Sequence, residues 1–381
     1  MTQRPDAPPA SWWAARAVSG RLPDFPWDTI AAEAALARAH PGGVVDLSVG
    51  TPVDSVPEVV QQALAAAADS PGYPTTLGTP AAREAAAGWL ARRLGARVDP
   101  ATEVLPTIGS KELVAWLPTL LGLGPGDVVV VPELAYPTYE VGVRLAGAEP
   151  VRSDAMTALG PRRVALVWVN SPSNPTGRVL PSEHLAKVVA WARERGALVV
   201  SDECYAELGW TAQPVSVLHP DVCGGSHAGV LAVHSLSKRS NLAGYRAGFV
   251  AGDPTVVRAI LEARKHAGLL VPGPVQAAMA VALADDAHVT RQRARYRARR
   301  DLLLAALGEA GFRVDHSEAG LYLWATRDEP CRDTLRWLAQ RGILVAPGEF
   351  YGPTGDRHVR VALTASDERV EVGCARLTAP R

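Results

Sequence analysis

Lys238 stands in His234-Ser-Leu-Ser-Lys238, directly after the apolar run Val230-Leu-Ala-Val233. The chain therefore delivers an amine to the carboxyl end of a buried strand, the edge where open parallel sheets bind ligands. A lysine there is either a solvated strand-end residue or a desolvated amine able to form a Schiff base. Asp202 ends a second apolar run, Ala197-Leu-Val-Val-Ser201, and is followed by Glu203-Cys-Tyr205. It reads either as the N-cap of a following helix or as a buried carboxylate. An unpaired buried charge is costly, so the second reading calls for a cationic partner such as a protonated pyridine nitrogen. A third apolar run, Val164–Val169, leads into Asn170-Ser-Pro-Ser-Asn174-Pro-Thr-Gly177. Proline and glycine order that loop, and Asn174 offers both a donor and an acceptor. Gly109-Ser110-Lys111 opens a helical stretch, either as a simple cap or as a helix N-terminus that receives an anion.

Positioning these groups is the work of apolar runs of strand length that alternate with helical patterns from Val44 onward. Val128–Val131, Val164–Val169, Ala197–Ser201 and Val230–His234 read as strands. Glu112–Leu121 and Ser182–Arg195 place apolar residues at three- and four-residue steps and read as helices. The strands are apolar throughout, which means both faces are covered, and their alternation with helices implies a mainly parallel sheet between helical layers. After Val271-Pro-Gly-Pro274 the texture changes. Val275–Leu307 reads as one long helix, followed by short strands at Phe312–Asp315, Leu321–Ala325 and His358–Leu363 and a helix at Thr334–Arg341. That is an α+β segment with its own small sheet.

Composition narrows the partners. The 381 residues carry 39 Lys+Arg against 39 Asp+Glu, and zero net charge argues against a nucleic-acid or membrane-surface partner. The run Arg291–Arg300 is basic, but charge runs of this kind are usually solvated helix faces. Cys204, Cys223, Cys331 and Cys374 form no CxxC pair, a usage that fits structural thiols in a reducing compartment. The histidines show no metal-ligand spacing. With no signal-peptide core and no bilayer-spanning run, the expectation is a cytoplasmic protein. The N-terminal segment is Pro- and Ala-rich, and Trp12 and Trp13 on it are expected to pack onto a neighbouring surface.

In order and spacing, Asn174-Pro-Thr-Gly177, Ser201-Asp-Glu-Cys-Tyr205 and the Ser235–Gly248 string resemble the fold-type I aminotransferases of class I/II, which use pyridoxal 5′-phosphate. The resemblance runs from about Leu22 to the C-terminus. It implies an α/β fold: a large domain (residues 44–274) with a mainly parallel seven-stranded sheet between helices. A small α+β domain (22–43 and 275–381) and an N-terminal extension (1–21) complete the expected organisation. It implies that Lys238 holds the cofactor as an internal aldimine and afterwards shuttles the proton. Asp202 would pair with the ring nitrogen so that the ring acts as an electron sink, and Asn174 and Tyr205 would hydrogen-bond the phenolic oxygen. Tyr136 would stack on the ring. Gly109, Ser110, Lys111, Ser235, Ser237 and Arg246 would hold the phosphate, joined by Tyr73 from a neighbouring subunit. That last role implies a homodimer with shared sites. Arg360, in His358-Val-Arg-Val-Ala-Leu363, would grip the substrate α-carboxylate as a bidentate fork, with Asn174 and the Gly50 backbone closing over it. The Tyr136-Pro137 and Asn174-Pro175 bonds are expected to be cis.

Within the family, Leu22–Trp27, Ile108–Trp116, Pro132–Tyr139, His234–Asp253 and Ser317–Trp324 look most like the actinobacterial N-succinyldiaminopimelate aminotransferases. That likeness implies ping-pong transfer between glutamate and N-succinyl-2-amino-6-oxopimelate, with Arg239, Lys265 and Arg178 as possible receivers of the distal carboxylates. Another aminotransferase, acting on aromatic amino acids or in secondary metabolism, or a β-lyase would share the same frame.

Overall fold

A computed structural model describes residues 17–379; Trp12 and Trp13 lie outside them. The short strand β1 (Val45–Asp46) precedes the strands of the main sheet. These are β2 (Val104–Ile108), β3 (Val128–Val131), β4 (Glu149–Arg152), β5 (Val164–Asn170), β6 (Leu198–Asp202), β7 (Val230–Ser235) and β8 (Ala247–Gly252). Their spatial order is β2-β8-β7-β6-β5-β3-β4. All pairs are parallel except those of β8, which runs antiparallel to β2 and β7. Two apolar layers sandwich the sheet. One gathers Trp89, Leu90, Val167, Val199 and Phe249, the other Leu113, Val129, Tyr139, Trp168 and Val200. Strands buried on both faces need continuous apolar sequence, which accounts for Val128-Val-Val-Val131.

The second unit carries β9 (Arg313–Asp315), β10 (Tyr322–Thr326), β11 (Ile343–Leu344), β12 (Ala346–Pro347) and β13 (Val359–Ala362). Four of these form the antiparallel order β12-β13-β10-β9, while β11 pairs in parallel with β1. Val45 and Leu47 accordingly pack in the cluster of the smaller unit, although the sequence boundary was expected at residue 44. The helix Gly273–Ala284 straddles the expected boundary at 275, yet its Ala278, Met279, Ala282 and Leu283 pack with the large sheet. The single long helix expected over Val275–Leu307 is two helices, Gly273–Ala284 and Ala287–Glu309. The break has a local cause: Asp285 sits in an extended conformation and accepts from the Ala287 amide at 2.8 Å, an alternative to helical bonding.

The arginines of the second helix fasten it to its surroundings. Arg299, 2% exposed, forks onto Asp54 at 2.7 and 2.8 Å and donates to Asp367 at 2.5 Å. Arg293 donates to the Gly209 carbonyl and Arg300 to that of Ser317. Among the described residues no helix is long and apolar enough to cross a membrane, and no group of three or more His, Cys, Asp or Glu could hold a metal ion.

Candidate active site

Parallel strands in register deliver their terminal residues side by side. Asn170 of β5 faces Asp202 of β6, and Asp202 faces Val233 of β7, two residues before Ser235. Because β8 runs antiparallel, its start lies at the same edge: Ser235 pairs with Gly248, and Ile108, at the end of β2, pairs with Ala247. Asn170, Asp202, Ser235, Arg246 and the Gly109–Lys111 turn therefore meet at one sheet edge. All of these but Gly109 line a cleft of about 1090 Å³, together with Tyr136, Asn174, Tyr205, Ser237, Lys238, Gly50 and Arg360. Of the residues expected at the site, Gly109 and Tyr73 are not on its wall, although Gly109 lies against Arg246, which is.

Ser235 ends β7 and caps the one-turn helix Leu236–Arg239, its hydroxyl accepting from the Ser237 amide at 3.1 Å. That turn carries Lys238 into the cleft. Burial, with smaller contributions from the nearby charges of Arg360 and Arg246, pushes the Lys238 amine below its ordinary range, against opposing effects of Tyr322 and Cys204. Asp202 is buried and accepts from the Tyr139 hydroxyl at 2.7 Å and the Cys204 amide at 3.1 Å. Burial raises its carboxyl pKa more than these hydrogen bonds lower it. A cation facing it from the cleft would reverse that balance.

The helix Ser110–Leu120 begins at Gly109 with no side-chain cap, leaving its first amides free. Gly109 has φ +71°, and a Cβ there would come within 2.5 Å of the Arg246 guanidinium. Gly248 is as constrained, since a Cβ would lie 2.9 Å from the His234 carbonyl and 3.1 Å from the Ser110 amide. The two glycines allow this close approach, and Ser110, Lys111, Ser235, Ser237 and Arg246 share the cleft wall, a grouping whose chemistry suits an anion.

Arg360, 3% exposed, donates to Asn174 Oδ1 at 3.0 Å and to the Ser48 carbonyl at 2.6 Å, and its Nε–H has no protein partner. Its guanidinium carbon lies 3.9 Å from the centroid of the Tyr322 ring. Tyr322 was not anticipated from sequence. Its hydroxyl is 3.1 Å from that of Tyr205, and it is also what a Cβ on Gly50 would strike, at 2.1 Å. Tyr139 was equally missed: besides bonding Asp202, its ring stacks on Trp168 at 4.9 Å. No local pattern singles out Tyr322, since Leu321-Tyr-Leu-Trp324 is apolar and buried throughout. Asn174 is held by its amide, which donates to Asn170 Oδ1 at 2.7 Å. The Asn174-Pro175 bond is cis as expected, the Tyr136-Pro137 bond is not, and Ser171-Pro172 is cis without having been anticipated.

Leu22, Phe25, Trp27, Val49, Arg152, Arg332, Glu349 and Phe350 also line the cleft. Phe25, Trp27 and Phe350 are in ring contact at 5.6 and 5.4 Å. The distal cations expected from sequence are not on this wall. Arg239 is buried against Glu207, Lys265 pairs with Glu262, and Arg178 is exposed elsewhere. Arg152 and Arg332 are there instead, paired with Glu140 and Glu349.

The sequence matches the family model of aminotransferase class I and II over residues 42–377. A probable aminotransferase of Mycobacterium tuberculosis is 67% identical over 361 residues, covering 95% of this chain and 86% of that protein. The 4-dedimethylamino-4-oxo-anhydrotetracycline transaminase of Streptomyces rimosus is 60% identical over 94% of this chain and 99% of its own length. Among solved structures, the N-succinyldiaminopimelate aminotransferase of Mycobacterium tuberculosis matches with a TM-score of 0.81 at 29% identity, covering 92% of this chain and 96% of that one.

Proposed function

Because the chain belongs to aminotransferase class I and II, a family dependent on pyridoxal 5′-phosphate, we propose that it moves an amino group between glutamate and N-succinyl-2-amino-6-oxopimelate. The residues present suit the cofactor. The uncapped amides at Ser110 and Lys111, with Ser235, Ser237 and Arg246, would hold its phosphate. Tyr136 would lie on its ring, Asp202 would keep a proton on the ring nitrogen, and Asn174 and Tyr205 would donate to its phenolic oxygen. When bound, the cofactor supplies a carbonyl for amine exchange and a ring that accepts electrons.

The chain's own share is proton handling and orientation. With its pKa lowered by burial, Lys238 Nζ is more readily available as a free base to take the proton from the substrate Cα and to hold it for delivery elsewhere than that carbon. Arg360 orients the α-carboxylate, its unpartnered Nε–H and one Nη edge being available to a fork-shaped contact. Tyr322 beneath the guanidinium fixes its plane.

The observation that carries the substrate reading is the size of the cleft and the presence of two arginines on its wall beyond the Lys238 group. A volume of about 1090 Å³ exceeds what a cofactor and a small amino acid fill. Arg332, half-exposed, is the natural receiver for a distal carboxylate if Glu349 yields. A second reading has its own support: the aromatic wall Phe25–Trp27–Phe350, with the likeness to the tetracycline-pathway transaminase, suits a flat, ring-shaped ketone.

Purified holoenzyme, glutamate and a panel of oxo compounds separate the two. Preferred turnover of the succinylated oxopimelate supports the first reading. Turnover of polycyclic ketones, with none of the succinylated compound, overturns it in favour of the second.

A further inference from the structure

Beneath the cofactor-site floor lies a cavity of about 10 Å³ lined by Trp89, Glu203, Cys204, Glu207, His234, Ser235 and Arg239 among others. Cys204 and Ser235 also line the cleft above, so the two spaces share a wall formed by the ends of β6 and β7. Three polar groups on the cavity are buried, with exposures of 2%, 2% and 4% for Glu203, His234 and Arg239. Each leaves an atom short of a well-formed protein hydrogen bond: Glu203 Oε2, which has Ser201 nearby, the ring nitrogens of His234, whose ring faces the Glu203 backbone, and Arg239 Nη2. Their remaining atoms are firmly held. Glu203 Oε1 accepts from the Val217 amide at 2.7 Å, while Arg239 donates through Nε to Glu207 and through Nη1 to the Ala282 carbonyl at 2.9 Å.

We infer that Glu203, His234 and Arg239 bind one buried water molecule in this cavity, and that the bridge makes Glu203 and His234 positioning residues for Asp202 and Lys238. Buried polar atoms nearly always find partners, and a water needs about 10–15 Å³ and two to four polar contacts. The volume reaches the lower bound, and the three residues that carry these atoms line the space. The separation of His234 Nε2 from Glu203 Oε2, 3.5 Å, is too long for a firm direct bond. Nor is the pair an ion pair at neutral pH, because burial pushes the His234 imidazole down to about 3. A neutral imidazole carries one donor and one acceptor, and the Arg239 Nη2 group is a further donor. His234 is packed edge-on by Trp89 at 5.0 Å and tilted against Phe249 at 5.0 Å, so it has little freedom to turn toward another partner. The bridge ties the residue after Asp202 to the residue before Ser235, the cap of the turn that carries Lys238.

Diffraction from holoenzyme crystals at high resolution tests the site without any variant. One ordered water within hydrogen-bond distance of at least two of Glu203 Oε2, a His234 ring nitrogen and Arg239 Nη2 is expected. A dry cavity, or a direct Glu203–His234 bond closing it, overturns the inference, and neither result bears on the substrate. The positioning role has a spectroscopic readout, which rests on the cofactor assignment. In His234→Leu the pH midpoint of the cofactor's visible absorbance should shift by more than about half a unit and the cofactor should dissociate about tenfold faster, with His234→Gln restoring both. If His234→Leu fails to fold, Glu203→Leu, rescued by Glu203→Gln, is read the same way. Loss of the water with an unchanged midpoint and dissociation rate would falsify the positioning role.

Discussion

Lys238 and Asp202 illustrate how a strand end converts burial into reactivity. Lys238→Ala should abolish both the cofactor's characteristic visible absorbance and transaminase turnover, checked by spectrum and by coupled assay; full turnover in that variant would refute the assignment. Asp202 exposes a conflict between stability and function. Burial raises its carboxyl pKa, so the folded chain keeps the proton to higher pH than the unfolded chain does. In the window from the ordinary carboxylate range up to the raised value, the unfolded state binds fewer protons, and stability falls as pH rises. Asp202→Asn removes that penalty while keeping the shape. The apoprotein variant should therefore resist urea better at neutral pH, by about 1 kcal/mol, as happens when strained functional groups are replaced. Its holoenzyme should lose most activity, and an apoprotein midpoint below that of the wild type would contradict the argument. Both residues were legible in the sequence, because each lies within five residues of the end of a continuous apolar run, inside a string shared with the family. Tyr322 was not: its place under Arg360 depends on β10 pairing with β13, with Trp324 opposite Arg360 and Tyr322 opposite Ala362. Those residues are far apart in the chain, and neighbours on one face of a sheet follow from register that no local pattern records.

At the scale of elements, the strands and their alternation with helices followed from apolar content, whereas the short helix break at Asp285–Asp286 and the strands β2, β4 and β8 did not stand out. Strand β8, Ala-Gly-Phe-Val-Ala-Gly, contains two glycines and lacks a continuous run of large apolar residues; packing against β2 and β7 defines it. The Arg291–Arg300 run shows a different gap between composition and structure. Its buried member, Arg299, pins the helix Ala287–Glu309 to Asp54, in the segment that follows Gly50 and Thr51. Burial raises the Asp54 carboxyl, but hydrogen bonds from Arg299 and Gln292 and the charges of Arg299 and Arg295 outweigh it and hold the pKa below the usual range. This contribution is present above the ordinary carboxylate range and is lost as pH falls through the lowered folded value. Removing one partner leaves a buried guanidinium short of charge compensation, so Asp54→Ala should cost about 3 kcal/mol in urea unfolding. An effect below about 0.5 kcal/mol would place the pair among ordinary surface contacts. The outer wall gives a complementary element-scale prediction. If Arg332 receives a distal carboxylate, Arg332→Leu should raise KM for the succinylated substrate about tenfold or more while leaving KM for glutamate little changed; an equal rise for both would remove Arg332 from specificity.

The whole molecule raises the question that the single chain leaves most sharply posed, namely what Tyr73 is for. Its side chain is 100% exposed in the chain alone, in the loop Pro71-Gly-Tyr-Pro74, yet the family resemblance gives it a place at a phosphate. A fully solvated aromatic residue that the resemblance places at a phosphate is consistent with reaching the site of a second copy, and symmetric pairing would make that reciprocal. The proposal is a homodimer whose two active sites are each completed by the other chain's Tyr73. It predicts complementation between two impaired variants. Lys238→Ala retains a sound Tyr73, and Tyr73→Ala retains a sound Lys238. Dissociated, mixed in equal amounts and reassociated, they should give half hybrids, each with one complete site, and so recover about a quarter of wild-type activity. Sedimentation of the same mixture should show one dimeric species. Activity no higher than the average of the two separate variants, in a mixture shown by mass-tagged chains to contain hybrids, would mean that Tyr73 serves its own chain or none.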